Sequence, residues 1–189
     1  HMPNMTVMLP KNGYELEQME KFALMNMDSP VAIRYPRGEI STVFSDIKTP
    51  IEIGKSEVIK DGEKIAVISA GAVMEQAAGA VRLLEKGGYR PMLVNLRFVK
   101  PLDVEMLKNV CEKCSYIFTI EDNVSDGGAG SGILEKLADE ELIKNIYFHS
   151  FAFPDKFIEH GTRKELFERY RLDSESIYSE IKKRVENNG

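Results

Sequence analysis

Residues 64–98 have the sequence KIAVISAGAVMEQAAGAVRLLEKGGYRPMLVNLRF, and this stretch decides the fold. The apolar run at 64–69 predicts a buried strand, and Gly71 opens a helix over 74–86. Gly87 and Gly88 follow this helix as a C-cap, and the apolar run at 91–98 predicts another strand. A strand, a helix and a strand in this order predict a right-handed crossover between two parallel strands.

The same alternation continues through the rest of the chain. Further strands are predicted over 116–121 and 145–151, and further helices over 104–114, 133–140, 162–170 and 174–186. Asp103 is placed to cap the first of these helices. A strand at 53–60 is predicted to turn back into 64–69 as a hairpin, because Asp61-Gly62 is a hairpin signal. The sequence therefore predicts an α/β fold with a mostly parallel five-stranded sheet, one antiparallel edge strand, and helices on both faces.

Residues 1–38 are predicted to be a unit of their own. They contain a strand at 5–9, a helix at 14–27 and a strand at 31–35. So few elements cannot close a core, and we expect this unit to need partners upstream or on another chain. Residues 39–50 are polar and rich in turn residues, which is typical of an interdomain linker. A second domain is predicted over 51–189, and it should fold by itself.

The composition limits the class of protein. Hydrophobic residues make up 43% and charged residues 29%, the balance of a soluble globular protein. No stretch approaches the roughly 20 apolar residues of a membrane span. The net charge of −5 argues against a nucleic-acid or anionic-membrane surface. Cys111 and Cys114 form a C-x-x-C, but zinc needs four ligands and no second cysteine pair follows. We expect two reduced structural thiols, which fits a reducing cytoplasm.

Arg34 and Arg37, within the run Arg-Tyr-Pro-Arg-Gly at 34–38, are the strongest candidates for chemistry. They lie at the end of a predicted strand, where ligand sites of open α/β sheets collect. The guanidinium group is a fixed fork that matches a phosphate or a carboxylate. Either arginine could instead form an ion pair that holds the linker, and the spacing does not separate the two uses.

The glycine-rich run at 127–132 lies between a strand and a helix, where backbone N–H groups favour anions. Ile133 stands where the dinucleotide-binding pattern needs its third glycine. Glu121, Asp122 and Asp126 precede the run and would repel a phosphate. A structural loop is therefore favoured over a ligand contact.

The histidines are weaker candidates. His149 is predicted to be packed or at an edge within a strand. Glu159 and His160 could suggest acid–base chemistry, but no third group is available to orient the histidine. A capped loop leading into the helix at 162–170 is the favoured interpretation.

Four runs together resemble a known family. They are AIRYPRG at 32–38, NLRFVKPLD at 95–103, EDN at 121–123 followed by GGAGSG at 127–132, and FPDKFIEHGT at 153–162. The first resembles the end of the pyrimidine-binding domain of a thiamine-diphosphate enzyme, and the others resemble the transketolase C-terminal domain. In order and spacing, over essentially the whole chain, they resemble the 1-deoxy-D-xylulose-5-phosphate synthase family. The likeness to transketolase or to the pyruvate dehydrogenase β subunit is weaker.

The resemblance implies a reaction. In that family, pyruvate is decarboxylated on thiamine diphosphate and the two-carbon unit is added to D-glyceraldehyde 3-phosphate, by a homodimer that uses Mg²⁺. The product feeds isoprenoid, thiamine and pyridoxal synthesis. The resemblance also implies that Arg37 contacts the substrate phosphate, with Arg34 as a second candidate.

The resemblance also shows what the sequence lacks. The family's Gly-Asp-Gly…Asn element, which holds Mg²⁺ and the diphosphate, is absent, and so is its catalytic glutamate. No residue is therefore predicted as a catalytic acid or base, a cofactor ligand or a metal ligand. We expect a C-terminal portion of the synthase that is inactive alone and binds no cofactor. The alternatives are a separate β-type subunit or assembly module of another thiamine-diphosphate enzyme, and a small protein that binds nucleotides with the glycine run.

Overall fold

The computed structural model describes residues 2–187. The strands are β1 (Thr6–Met8), β2 (Val31–Ile33), β3 (Glu57–Lys60), β4 (Lys64–Ser69), β5 (Met92–Asn95), β6 (Phe98–Lys100), β7 (Cys114–Val124) and β8 (Tyr147–Phe153). The helices are α1 (Gly13–Asn26), α2 (Met74–Lys86), α3 (Val104–Lys113), α4 (Ala129–Asp139), α5 (Arg163–Arg169) and α6 (Ser174–Asn187). Within the described range, no helix is long and apolar enough to cross a membrane.

The main sheet has five strands in the order β3-β5-β4-β7-β8. β3 runs antiparallel to β5, and the other neighbours are parallel. The predicted mostly parallel five-stranded sheet with one antiparallel edge strand is confirmed. The local signals at helix ends are also confirmed. Gly87 is the C-cap of α2, and the Asp103 side chain accepts the N–H of Met106 at 3.2 Å at the start of α3.

Two cores lie on the two faces of this sheet. In β4, Ile65 and Val67 join the core formed with α2 and α6, whereas Ala66 and Ile68 join the core formed with α3 and α4. Successive side chains of a strand point to opposite faces, so a strand buried on both faces appears as a continuous apolar run. The predicted placement of helices on both faces is confirmed.

The predicted hairpin between 53–60 and 64–69 is wrong. β3 pairs with β5, and β4 lies between β5 and β7. The reason is burial: Ile65–Ser69 is buried throughout, so β4 needs a neighbour on each side and β3 is left to the edge. A Cβ on Gly62 would overlap the backbone of Pro91 and Met92. The glycine therefore serves this close passage of the chain past the start of β5.

The predicted single strand over 91–98 is two strands, and the second one leaves the main sheet. Arg97, with φ of +57°, turns the backbone between β5 and β6. β6 then pairs antiparallel with β1, which pairs parallel with β2, to give a second sheet in the order β2-β1-β6. Apolar residues stand on both sides of this turn, so the hydrophobic pattern alone predicts a single strand.

Residues 1–38 therefore pack on the downstream part of their own chain. Met8, Met19 and Phe98 form a small, fully buried third core. β6 pairs with β1, so part of the packing of this unit comes from its own chain. The expectation that the unit also needs partners upstream or on another chain stays a prediction. Leu24 and Met25 of α1, in contrast, are 87% and 80% exposed.

Candidate functional site

Arg34 stands just beyond the carboxyl end of β2 and is bound by the second half of the chain. Its Nη1 donates to Asp122 Oδ1 at 2.5 Å, and its Nη2 donates to the backbone oxygen of Asp122 at 3.0 Å. Its own N–H donates to the carbonyl oxygen of Met8 at 2.9 Å. Both the backbone and the side chain of Arg34 are therefore fixed, although half of the side chain is exposed.

Arg37 has a different environment. Residues 34–39 are all exposed, and Arg37 has no hydrogen-bond or ion-pair partner within residues 2–187. Gly38 has φ of +144°, a conformation that glycine adopts readily and other residues rarely do. The two arginines of the motif thus have different environments within residues 2–187: Arg34 is paired with Asp122, and Arg37 is exposed without a partner.

The loop that carries Arg37 is attached again a few residues later. The Nδ2 of Asn12 donates to the carbonyl oxygens of Val43 and Phe44 at 2.9 and 3.3 Å. Val43 and Phe44 also pack against the core on the α2 and α6 face of the main sheet. The segment predicted as a linker is therefore held on the surface of the protein along part of its length.

A cavity of about 230 Å³ opens beside Arg34, at the carboxyl ends of β4 and β7. Ligand sites of open α/β sheets collect at this edge. Its walls are mainly apolar, and its charged lining groups are Arg34, Glu121 and Asp122. Arg34 is the cation of this lining and is already paired with Asp122. The cavity is therefore poorly suited to a phosphate.

The glycine run binds an anion that belongs to the protein itself. Glu121 Oε2 accepts the N–H of Ala129 at 2.8 Å, and Oε1 accepts the N–H of Gly130 at 2.9 Å. A Cβ on Gly128 would overlap the Glu121 carboxylate, and a Cβ on Gly130 would lie 3.0 Å from Oε1. Burial raises the pKa of Glu121, and the two N–H groups and Ser150 oppose that rise. The position where a phosphate was considered is filled, which supports the structural role predicted for this loop.

This filled helix end also explains where α4 begins. The helix was predicted over 133–140, but it starts at Ala129 inside the glycine run. Its N-cap residue, Gly128, has no side chain to satisfy the first N–H groups, and Glu121 satisfies two of them from the neighbouring strand.

The glycine-rich end of α4 does not fit a site for a diphosphate and its Mg²⁺. Within residues 2–187, no group of three or more His, Cys, Asp or Glu side chains is placed to hold a metal ion. A diphosphate-bound Mg²⁺ is normally held by one or two carboxylates together with the phosphates. The glycine-rich helix end, which could have met the phosphates, is taken by Glu121.

A buried charge network joins α1 to the main sheet, and sequence reasoning missed it. Lys11 Nζ lies 3.1 Å from Glu15 Oε1 and 2.7 Å from Glu57 Oε2. Arg97 Nε lies 2.7 Å from Glu15 Oε1, and its Nη2 lies 2.8 Å from Glu57 Oε1. All four side chains are at most 3% exposed, and the Asn95 amide donates to both carboxylates.

The network is electrically balanced, with two cations and two carboxylates. Burial acts to raise the pKa of Glu57, but hydrogen bonds from Lys11 and Thr49 and the charge of Arg97 together lower it below its ordinary value. One signal in the sequence could have indicated the network: Arg97 follows the apolar run at 91–96, where a charged side chain is costly unless it is paired.

The cysteines lie at the junction of α3 and β7. Both are free in the structure. Burial raises the pKa of Cys111, and burial followed by the nearby charge of Asp61 raises the pKa of Cys114 to about 11. A thiol is nucleophilic as its thiolate, so neither cysteine is suited to covalent chemistry at neutral pH.

Neither of the two histidines considered above lines the cavity beside Arg34. His149 lies on the edge strand β8, with its ring 4.8 Å from that of Phe151 at near right angles. Burial, and then the charge of Arg184, lower its pKa. His160 is exposed in the loop before α5.

Glu159 is not suited to act as a general acid or base near neutral pH. It accepts hydrogen bonds from Tyr170 and Arg169, which lower its pKa to about 2. A carboxylate that stays ionised to such low pH is a poor proton donor or acceptor near neutrality. Thr162 and Glu165 form a capping box at the start of α5, as expected for a capped loop leading into that helix.

Comparison with known proteins places these features in a family. Residues 54–177 match the transketolase C-terminal domain. Two 1-deoxy-D-xylulose-5-phosphate synthases, from Caldanaerobacter subterraneus subsp. tengcongensis and Clostridium tetani, are 44% and 42% identical to this chain over 183 residues. Each match covers 97% of this chain but 29% of the relative, so the chain spans less than a third of the length of these curated relatives.

Solved structures show the same fold. A split-gene transketolase, described as an inactive β4 tetramer, matches with a TM-score of 0.87 at 29% identity, covering 97% of this chain and 59% of that one. A transketolase mutant from Pichia stipitis matches with a TM-score of 0.68 at 19% identity, covering 97% of this chain and 25% of that one. The predicted transketolase C-terminal fold is confirmed.

Proposed function

The chain belongs to the transketolase C-terminal domain family, and from that premise we propose that it is the C-terminal portion of a 1-deoxy-D-xylulose-5-phosphate synthase. The whole enzyme would condense pyruvate, with loss of carbon dioxide, and D-glyceraldehyde 3-phosphate. We propose the domain division predicted from the sequence, with residues 1–38 from the pyrimidine-binding domain, 39–50 as the linker and 51–189 as the C-terminal domain.

The extent of the similarity carries this proposal. A match over 97% of the chain leaves out only a few residues, so it spans the Arg-Tyr-Pro-Arg-Gly run at 34–38 as well as the C-terminal domain. The names of the relatives specify a phosphorylated product, so the enzyme needs a cation for a substrate phosphate. Arg37, exposed and unpaired, is the group in this region that can supply one.

The proposed contact predicts a selective kinetic defect. In the full-length synthase that contains this chain, Arg37→Ala should raise the KM for glyceraldehyde 3-phosphate and leave that for pyruvate nearly unchanged. Loss of a charge-assisted hydrogen bond costs about 1.5–3 kcal/mol, or roughly 10–150-fold. Arg90→Ala is the matched control, because Arg90 is also exposed but forms a surface pair with Glu63. An aldehyde KM that stays at the wild-type value would remove Arg37 from the site.

We further propose that thiamine diphosphate and Mg²⁺ are held by parts of the full-length enzyme that this chain does not span. The enzyme would work as a homodimer in the cytoplasm, and the 189-residue chain alone would be inactive. Thiamine diphosphate, when bound, makes the decarboxylation of pyruvate possible by taking up the electrons left behind. The contribution of this chain is then to bind and orient the aldehyde through its phosphate.

The inactivity of the isolated chain is directly testable. The purified chain, mixed with pyruvate, glyceraldehyde 3-phosphate, Mg²⁺ and thiamine diphosphate, should form no 1-deoxy-D-xylulose 5-phosphate. The full-length enzyme at equal molarity is the positive control. Measurable turnover by the chain alone would overturn this part of the proposal.

The alternative is a separate β-type subunit or assembly module of another thiamine-diphosphate enzyme. The likeness to a split-gene transketolase favours it, because that protein is described as the product of a split gene. The intact mass of the protein in its source cells separates the two. A species of 21.4 kDa would support the separate subunit, whereas a species of about three times that mass would support the synthase.

A further inference from the structure

We infer that Arg34 is a positioning residue rather than a phosphate ligand: together with Asp122 it fixes one end of the loop that presents Arg37. This inference rests on the proposed function, since it concerns how the phosphate contact is built. The loop is residues 35–42, and its two ends are held by different parts of the protein.

The guanidinium group of Arg34 holds the first end of the loop. Two guanidinium nitrogens bind the side chain and the backbone oxygen of the same residue, Asp122, at 2.5 and 3.0 Å. Asp122 lies within β7, next to Glu121, whose carboxylate is itself fixed to the start of α4. The anchor is therefore part of the main sheet and not of a second loop.

The second end is held from α1. Asn12 is 5% exposed, and its amide nitrogen donates to the carbonyl oxygens of Val43 and Phe44. The side-chain oxygen of Asn12 accepts the N–H of Glu15 at 2.9 Å, so Asn12 is fixed as the N-cap of α1. Ile40 lies against Gly13, where a Cβ would come within 2.6 Å of Ile40 Cγ2.

Arg37 stands between these two anchors. It is three residues beyond Arg34, so its Cα lies at most about 11 Å from that of Arg34 even if the chain is fully extended. Pro36 restricts the backbone of Tyr35 as well as its own. The carboxylate of Asp122 compensates the charge of Arg34, so Arg37 is the cation of the two that has no partner within residues 2–187. The geometry makes Arg34 the support and Arg37 the contact.

The two possible roles of Arg34 predict opposite responses to a change at Asp122. If Arg34 positions the loop, Asp122→Ala and Arg34→Ala should both raise the KM for glyceraldehyde 3-phosphate. The effect of Arg34→Ala should be larger, because Asp122→Ala leaves the backbone oxygen as an acceptor. If Arg34 binds the phosphate directly, Asp122→Ala frees a guanidinium and the KM should stay constant or fall.

The experiment uses the full-length synthase, with steady-state kinetics in both substrates. We expect Arg34→Ala to raise the aldehyde KM on the order of tenfold, since a small misplacement of a binding group can cost up to about a hundredfold. The KM for pyruvate should change less than twofold. The exchanged pair Arg34→Asp with Asp122→Arg should recover part of the loss, which a general folding defect would not do. Arg90→Ala is again the control.

Hydrogen exchange in the 189-residue chain gives a readout that is independent of activity. Arg34→Ala and Asp122→Ala should speed exchange in peptides covering 35–42, and Arg90→Ala should not. Unchanged exchange there, or an aldehyde KM that rises in Arg34→Ala but not in Asp122→Ala, would overturn the positioning role. If Arg37→Ala leaves the KM for glyceraldehyde 3-phosphate unchanged, the proposed phosphate contact is wrong. The hydrogen-exchange data then still test whether the Arg34–Asp122 pair fixes the loop.

Discussion

Replacing Arg97 by methionine tests whether the buried charge network stabilises the contact between α1 and the main sheet. Arg97 touches both carboxylates, and its Nη1 and Nη2 also donate to the backbone oxygens of Pro50 and Thr49 at 3.0 and 3.2 Å. Methionine keeps an unbranched apolar stem of similar length but offers none of these donors. The replacement therefore removes the interactions while creating little empty space.

The magnitude follows from the charges that remain. Without Arg97, Glu15 and Glu57 are left with Lys11 as the cation of the group, and the buried cluster carries a net charge of −1. Removing one partner of a buried pair typically costs about 3–5 kcal/mol, because the remaining charge stays away from water. For a chain of this size, about 2–4 °C of Tm corresponds to each kcal/mol, so the Tm should fall by roughly 6–20 °C.

Urea and thermal unfolding of the chain, followed by circular dichroism, would measure this loss. Arg90→Met is the matched control, because Arg90 and Glu63 form a pair at 3.0 Å in which the side chains are 74% and 64% exposed. Exposed pairs contribute about 0–1 kcal/mol. A loss for Arg97→Met that equals the loss for Arg90→Met would refute the reasoning. It would mean that Lys11 alone compensates both carboxylates.

Two further predictions concern the glycine run and the loop before α5. Gly130→Ala should destabilise the chain by about 1–3 kcal/mol, because its Cβ would lie 2.7 Å from Thr119 Oγ1. Gly132→Ala is the control: the nearest neighbour of its Cβ lies at 3.9 Å, so this variant should be neutral or stabilising. Urea unfolding of both variants measures the difference. Glu159 should titrate near pH 2 by NMR, and Tyr170→Phe should move its pKa back toward 4.5, since the Tyr170 hydrogen bond is the largest cause of the lowering. Because the pKa of Glu159 is lowered in the folded protein, the stability that Glu159 contributes is present above pH 4.5 and is lost as pH falls through about 2. A Glu159 titration that Tyr170→Phe leaves unchanged would contradict the assignment of the lowering to the Tyr170 hydrogen bond.

Features set by neighbours in sequence could be predicted. The strand β4 appears as an apolar run because it is buried on both faces, and the helix ends at Gly87 and Asp103 follow from short-range backbone and side-chain hydrogen bonds. These signals depend on a few adjacent residues. They are therefore present in the sequence whatever the rest of the chain does.

Features set by distant partners could not be predicted. Asp61-Gly62 indicated a hairpin, but β3 pairs with β5, because the demand of β4 for two parallel neighbours outweighs a local turn preference. The turn at Arg97 is hidden inside an apolar run, since its side chain is compensated by Glu15 and Glu57, which are 82 and 40 residues away in sequence. Neither the strand order nor these partners leave a periodic pattern.

The same distant contacts connect stability to the proposed site. Lys11 and Glu15, two members of the network, flank Asn12, which holds the far end of the Arg37 loop. A change at Arg97 should therefore loosen the N-terminus of α1 and, through Asn12, the loop itself. In the full-length enzyme, Arg97→Met should thus raise the aldehyde KM as well as lower the Tm, whereas the matched control Arg90→Met should leave the aldehyde KM at its wild-type value.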